Sequence, residues 1–135
     1  MINSIKAVGA MLLSLSLATL PAQSSQFNIA EGQEKHVKNQ EVRQTGVASF
    51  YSDWYNGRPM ANGRLFYNSS NSCAHRTLKF GTIVTIRNPA NGKTVKCVVR
   101  DRGPFVSGRV IDLSKTTFNQ LAPLSRGVIN VELSW

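Results

Sequence analysis

The sequence has only two cysteines and two histidines among its 135 residues, and they are scattered along the chain. This number and spacing exclude a zinc site built from closely spaced Cys and His ligands, and we expect neither a metal nor another cofactor. No serine stands in a nucleophile-elbow context, which argues against a Ser-His-Asp hydrolase. The Asn-Gly pairs are typical of turns and not of a phosphate-binding loop.

Long apolar runs are also missing, apart from Ala7–Leu20, which is shorter than the about 20 residues that a membrane-spanning helix needs. A lysine precedes this run, and small residues follow it at 21–24. We therefore interpret residues 1–24 as a signal peptide, cut after Ser24 or after Ala22, and expect an exported protein that is periplasmic or secreted. No cysteine lies near the cut, so we expect no lipid anchor.

Acidic residues are scarce, because 7 Asp and Glu stand against 16 Lys and Arg, for a formal net charge of +9. In a cytosolic protein this balance points to nucleic acid, a partner that export excludes here. An exported cation meets other polyanions, such as the carboxylates of peptidoglycan or the phosphates of teichoic acids and lipids. Solubility and nonspecific adhesion explain the charge equally well.

The rest of the chain divides into a polar leader and a folded domain. Residues 25–44 have no hydrophobic period, which predicts a flexible leader, whereas residues 45–135 alternate β-prone segments with turns. The strand-like segments are Gly46–Tyr51, Thr82–Ile86, Thr94–Val99, Arg109–Ile111 and Val128–Leu133. Ser114 is expected to cap one brief helix, Lys115–Leu121, which Pro123 ends. Short strands, many turns and a single helix predict an all-β fold, a closed barrel.

The segment Thr94–Val99 has two distinct faces, because side chains alternate along a strand. Cys97 and Asp101 share the apolar, inward face, so Asp101 ends the strand as an inward carboxylate. This position indicates a functional acid, although a turn in which Asp101 accepts the backbone N–H of Gly103 explains it too. Cys97 has only Cys73 as an intramolecular partner, and export permits a disulfide between them.

Five ordered blocks of the folded domain resemble the rare lipoprotein A family. They are GVASFY at 46–51, ANG at 61–63, AHRTLKFGT at 74–82, DRGPF at 101–105 and GRVIDLS at 108–114. The resemblance implies a six-stranded double-psi β-barrel, the fold shared with barwin, expansins and family 45 endoglucanases. It also implies action on glycan strands, because well-studied members are lytic transglycosylases that cut peptidoglycan between N-acetylmuramic acid and N-acetylglucosamine and prefer strands stripped of stem peptides.

The resemblance carries catalytic roles over to His75, Asp101 and Asp112, which stand in the third, fourth and fifth blocks. Asp112 has a structural alternative, which is to cap the helix that follows Ser114. Arg64 stands where the family usually has Glu, so that a permanent cation replaces a carboxylate.

Four residues are predicted to bind the glycan. Arg64 is a candidate for binding the lactyl carboxylate of the muramyl sugar, although its charge also opposes acid catalysis by a neighbouring Asp101. Trp54 and Tyr55, in a turn-rich loop, are candidates for stacking on sugar rings. Arg102, in the same block as Asp101, completes the set.

A lytic transglycosylase needs no water, because the C6 hydroxyl of the muramyl residue attacks its own C1. One group then serves as acid and afterwards as base, and we assign this role to Asp101, with His75 as its hydrogen-bond partner or relay. If the segments that carry the two cysteines run parallel, His75 and Asp101 are offset by about 7 Å, and if they run antiparallel by roughly 20 Å. A shared site therefore predicts parallel or bent segments.

Three functional hypotheses follow. The first is a monomeric lytic transglycosylase that acts on peptidoglycan glycan strands. The second is a catalytically inactive glycan-binding or wall-loosening barrel, and it rests on Arg64. The third is a basic secreted protein that acts on a host or a rival, and it rests on the charge and the missing anchor.

Overall fold

The computed structural model describes residues 41–135, so the predicted signal peptide at 1–24 and residues 25–40 of the predicted leader lie outside the described residues. The strands are β1 Gln44–Phe50, β2 Ser72–Ala74, β3 Ile83–Arg87, β4 Thr94–Asp101, β5 Arg109–Leu113 and β6 Ile129–Ser134. They close into one barrel in the order β1, β5, β2, β4, β3, β6. The predicted six-stranded all-β barrel is thereby confirmed, and β1 begins at the last residue of the segment assigned to the leader.

The alternation predicted for β4 is present. Cys97 and Val99 are fully buried, whereas Lys96 between Val95 and Cys97 is exposed. β3 and β4 form a hairpin whose turn contains Gly92 at a φ of 76°, a left-handed conformation that glycine adopts without steric cost. The period of two therefore places Cys97 and Val99 in the core and Lys96 on the outer face of the barrel.

β2 is the strand that the sequence analysis missed, because three residues are too short to show a period. It pairs in parallel with β4 and antiparallel with β5, and its Ala74 is the register partner of both Asp101 and Asp112. β1 pairs in parallel with β5, where Ser49 lies opposite Asp112. The two acidic residues, Asp101 and Asp112, therefore lie on the two strands that flank β2.

Residues 41–135 contain one α-helix, α1 Lys115–Asn119, which packs Phe118 into the core, and two short 3-10 helices, Asp53–Tyr55 and Leu124–Arg126. The predicted cap of α1 is confirmed, because the Ser114 side chain accepts the backbone N–H of Thr117, and the helix ends two residues earlier than expected. Within residues 41–135, no helix is long and apolar enough to cross a membrane.

The predicted disulfide between Cys73 and Cys97 is also present and joins β2 to β4 inside the barrel. Both cysteines are fully buried in the main hydrophobic core. The bond therefore fastens the strand that ends at Ala74 to the strand that ends at Asp101.

Candidate functional site

A groove of about 410 Å³ opens where β4 ends and the following loop turns toward β5. Asp101 and Asp112, two of the three predicted catalytic residues, line it together with Tyr51, Tyr55 and Arg109. A larger depression of about 510 Å³ lies elsewhere on the barrel, and Arg126 is its only ionisable residue. The chemistry-bearing side chains therefore meet in the smaller groove.

The carboxylate of Asp101 accepts three hydrogen bonds. The Tyr51 hydroxyl donates to Oδ2 at 2.7 Å, and the backbone N–H groups of Ala61 and Arg102 donate to Oδ1 at 2.8 Å and 2.9 Å. The turn expected to use the N–H of Gly103 uses that of Arg102 instead. Every partner of Asp101 is a donor, and donors of this kind stabilise an ionised carboxylate.

The Tyr51 hydroxyl keeps its proton and therefore acts as a hydrogen-bond donor to Asp101. Burial, followed by the hydrogen bond and charge of Asp101, raises the pKa of Tyr51 far above its ordinary value. Its ring stacks on Phe66 with 4.1 Å between ring centroids, which fixes the hydroxyl beside the carboxylate.

Asp112 has a different environment in the same groove. It accepts a hydrogen bond from the Ser49 hydroxyl, and it does not cap α1, since Ser114 does so. Burial raises the pKa of Asp112, against the Ser49 hydrogen bond and the charge of Arg109, which lower it, and the negative charge of Asp101 raises it further. Asp112 is therefore the groove carboxyl that burial favours in its protonated form.

His75 is not brought to the Asp101 carboxylate, although the parallel pairing of β2 and β4 is the one that the shared-site argument required. Its backbone N–H donates to the carbonyl of Asp101 at 3.2 Å, but its imidazole points to the other side. There Nδ1 accepts the backbone N–H groups of Thr77 and Leu78, and Nε2 lies 2.8 Å from Gln44 Oε1. The imidazole therefore orders the loop after β2, outside the groove.

This arrangement requires a neutral imidazole, because backbone N–H groups only donate and Nδ1 must accept. Burial, followed by the charges of Arg102 and Arg76, lowers the pKa of His75 below its ordinary 6.5. The stability contributed by the neutral ring is present above pH 6.5 and is lost as the pH falls through the lowered value in the folded state.

We therefore expect wild-type protein to lose stability relative to a His75→Asn variant as the medium is acidified. The variant does not titrate at this position, so the difference isolates the imidazole. Urea unfolding at about pH 7.5 and about pH 5 measures it. A difference in unfolding free energy that stays constant between the two pH values contradicts the assignment.

Of the four predicted glycan-binding residues, Tyr55 and Arg102 line the groove, and Trp54 and Arg64 do not. Trp54 lies beside Tyr55 and is 64% exposed, but it does not line the groove, and the Arg58 guanidinium covers its ring at 3.3 Å from the centroid. One face of Trp54 is therefore already occupied by a cation.

Neither Arg102 nor Arg64, the two arginines predicted to bind the glycan, offers a free guanidinium to the groove. Arg102 lines the groove, but its guanidinium is already bound: it donates to the carbonyls of His75 and Leu78 and lies over the Phe80 ring. Arg64 is exposed and does not line the groove, and its backbone closes the hairpin around Met60. Arg102 thus holds a loop, and the position that departs from the family pattern does not put a cation among the groove residues.

Sequence reasoning missed the roles of four groove residues. Ser49 and Tyr51 are hydroxyl partners of the two acids, Phe105 is an aromatic ring that is 80% exposed, and Arg109 is a cation. Each stands in one of the blocks that carry the resemblance, but the contact partners of Ser49 and Tyr51 are 63 and 50 residues away in the chain. Local pattern therefore held no signal for these roles.

The sequence of this chain is similar to those of known proteins. A family model described as lytic transglycolase matches residues 43–133. A protein of Treponema pallidum named "Probable endolytic peptidoglycan transglycosylase RlpA" is 44% identical over 88 residues, which cover 65% of this chain and 28% of that protein. The chain spans about a third of the length of its curated relatives, between 27% and 33% in three of them.

Two solved structures have the same fold. The Streptomyces papain inhibitor is 28% identical with a TM-score of 0.54, and the match covers 71% of this chain and 97% of the inhibitor. An expansin of Clavibacter michiganensis is 21% identical with a TM-score of 0.50, and covers 67% of this chain and 49% of the expansin. These likenesses confirm the double-psi β-barrel.

Proposed function

Because this chain belongs to the lytic transglycolase family, we propose that its barrel cleaves the glycan strands of peptidoglycan and leaves 1,6-anhydromuramyl ends. The observation that carries the proposal is the pair of carboxyl groups that share one groove in opposite environments, Asp112 desolvated and Asp101 surrounded by donors. Two neighbouring acids with such different surroundings are suited to opposite proton-transfer roles. The substrate in this proposal is peptidoglycan. Peptidoglycan lies outside the cytoplasmic membrane, and this location agrees with the predicted export of the protein.

The reaction uses each acid once. Protonated Asp112 donates its proton to the glycosidic oxygen, which leaves as a hydroxyl while positive charge develops at C1 of the muramyl residue. Ionised Asp101 faces that charge and accepts the proton of the C6 hydroxyl as its oxygen bonds to C1. Asp112 ends ionised and Asp101 ends protonated, and exchange with solvent restores both.

This assignment changes the sequence hypothesis, in which Asp101 alone served as acid and base. The three donors around Asp101 favour its ionised form, whereas burial raises the pKa of Asp112 and makes this carboxyl the better suited of the two to donate a proton. His75 takes the role of a positioning residue, because its imidazole holds the loop that Arg102 also binds. Tyr55 and the newly recognised Phe105 offer aromatic rings on the groove wall for sugar stacking.

We expect the protein to release anhydromuramyl-ended fragments from glycan strands that have been stripped of stem peptides. Mass spectrometry of the soluble products detects these ends, which differ from hydrolytic ends by one water. The matched control is an Asp101→Asn variant, in which an isosteric amide replaces the base and no fragments form.

Two results contradict the proposal. Hydrolytic ends instead of anhydro ends identify a hydrolase, and intact strands at high protein concentration exclude cleavage. In the second case, co-sedimentation with purified sacculi at physiological salt identifies the glycan-binding barrel, the alternative function.

A further inference from the structure

Arg109 is the first residue of β5, and neither the fold nor the proposed proton transfers explain why its side chain lies at the groove. It lines the groove that contains Asp101 and Asp112, and it also lines a neighbouring depression of about 170 Å³ next to His75. Arg109 therefore stands between the reacting carboxyls and a second open space on the same surface.

The guanidinium of Arg109 differs from those around it in having no partner among residues 41–135. The Arg102 guanidinium donates to two backbone carbonyls. The Arg76 guanidinium donates to three, those of Pro104, Val106 and Arg109 itself. Arg109 makes no side-chain hydrogen bond and no salt bridge within the described part of the chain, although its charge reaches Asp112.

The backbone of Arg109 is nevertheless held firmly. Its carbonyl accepts Arg76 Nη2 at 3.1 Å, and its N–H donates to the Val106 carbonyl at 3.2 Å. A cation with an anchored backbone and an unused planar donor group, at the rim of a groove, is preorganised for an anionic ligand.

The chemistry of the proposed substrate supplies one suitable anion. Each muramyl residue has a lactyl ether whose carboxylate is free in a bare glycan strand and is converted to an amide where a stem peptide is attached. A guanidinium binds a carboxylate through two parallel charge-assisted hydrogen bonds, and an amide offers neither the charge nor the second acceptor oxygen.

We propose that Arg109 is a specificity-determining residue that binds the free lactyl carboxylate of a muramyl residue next to the scissile bond. This inference rests on the proposed function and replaces Arg64, which lies outside the groove, as the carboxylate-binding residue. A bare strand is then favoured because its lactyl carboxylate binds the Arg109 guanidinium. A peptide-substituted strand is disfavoured because it leaves the guanidinium without a carboxylate partner.

The test uses soluble muramyl-glucosaminyl oligosaccharides in two forms, with free lactyl carboxylates and with the same carboxylates converted to methylamides. For wild-type protein we expect KM to be about tenfold higher on the amide form, because one charge-assisted contact is lost. For Arg109→Gln we expect the two forms to have equal KM values. Arg109→Lys, which keeps the charge but not the fork, is expected to lie between them.

Lys93→Gln is the matched control, because it removes one positive charge from the exposed β3–β4 turn, away from the groove. It is expected to keep the wild-type ratio of KM values. Binding of both oligosaccharide forms to each variant, measured by calorimetry, gives a readout that does not require cleavage.

The outcomes separate this inference from the proposed function. Acid selectivity in binding that disappears in Arg109→Gln supports the inference even if no strand is cut. Cleavage with an unchanged acid-to-amide ratio in Arg109→Gln overturns the inference and leaves the proposed function intact. Absence of both binding and cleavage overturns both.

Discussion

Replacement of Asp112 by asparagine is expected to reduce the rate of glycan cleavage by about 10²–10⁴-fold, the range typical for loss of a general acid. The amide keeps the shape of the side chain and a partner for Ser49, but it has no acidic proton for the leaving oxygen. Anhydromuramyl ends released per unit time measure the effect, with kcat separated from KM.

The same variant is expected to be more stable than wild type at neutral pH. The raised pKa of Asp112 means that its contribution to stability is full below the ordinary value of 3.8 and is lost as the pH rises through the pKa of the folded state. The amide carries no such loss, so the melting temperature of the variant exceeds that of wild type above this range. An acid selected for catalysis at the expense of stability has this pair of effects.

A matched carboxyl-to-amide change outside the groove is Glu132→Gln, since Glu132 pairs with Arg87 on the outer face of β6. It is expected to leave the cleavage rate within about twofold, because a surface ion pair contributes little to stability and nothing to the groove. Asp112→Asn activity within about tenfold of wild type contradicts the role of Asp112 as the acid.

Wild-type activity should also fall as the pH rises through the Asp112 pKa, and the variant should lack this dependence.

Removal of the disulfide is expected to cost about 3 kcal/mol of unfolding free energy. The bond closes a loop between cysteines separated by 24 residues, and a cross-link of this span restricts the unfolded chain by about that amount. In a barrel of this size, the melting temperature should fall by about 15 °C. A Cys73→Ala and Cys97→Ala double variant followed by calorimetry measures this change.

Wild-type protein melted under reducing conditions is the control, because it loses the cross-link without losing the two buried sulfur atoms. Agreement between reduced protein and the double variant assigns the effect to the cross-link, and a larger loss in the variant measures the cavity. A melting temperature within about 3 °C of the oxidised protein in both samples contradicts the prediction.

The acids of the site could be predicted from the sequence, but their roles could not. Strand period placed Asp101 inward at the end of β4, and the resemblance added Asp112. What distinguishes the two is burial and hydrogen bonding to Ser49 and Tyr51, residues of β1 and the loop after it. Such contacts depend on how the barrel closes and leave no local signal in the chain.

The orientation of His75 shows the same limit. A disulfide and parallel strands bring its backbone beside Asp101, as the spacing argument requires, and yet its side chain serves Thr77, Leu78 and Gln44. Spacing along a strand determines distance between backbones, whereas the side on which a residue lies after the strand ends is determined by the loop that follows.

The sequence by itself determined the class of fold, the core face of β4, the capped helix and the single disulfide, because each follows from local periodicity, capping chemistry or the number of cysteines. The tertiary structure alone decided that β2 exists, that its Ala74 lies between Asp101 and Asp112 in the sheet, and that Arg109, and not Arg64, lines the groove with them. The physical reason is that these facts depend on strand pairing and desolvation, which join residues far apart in the chain.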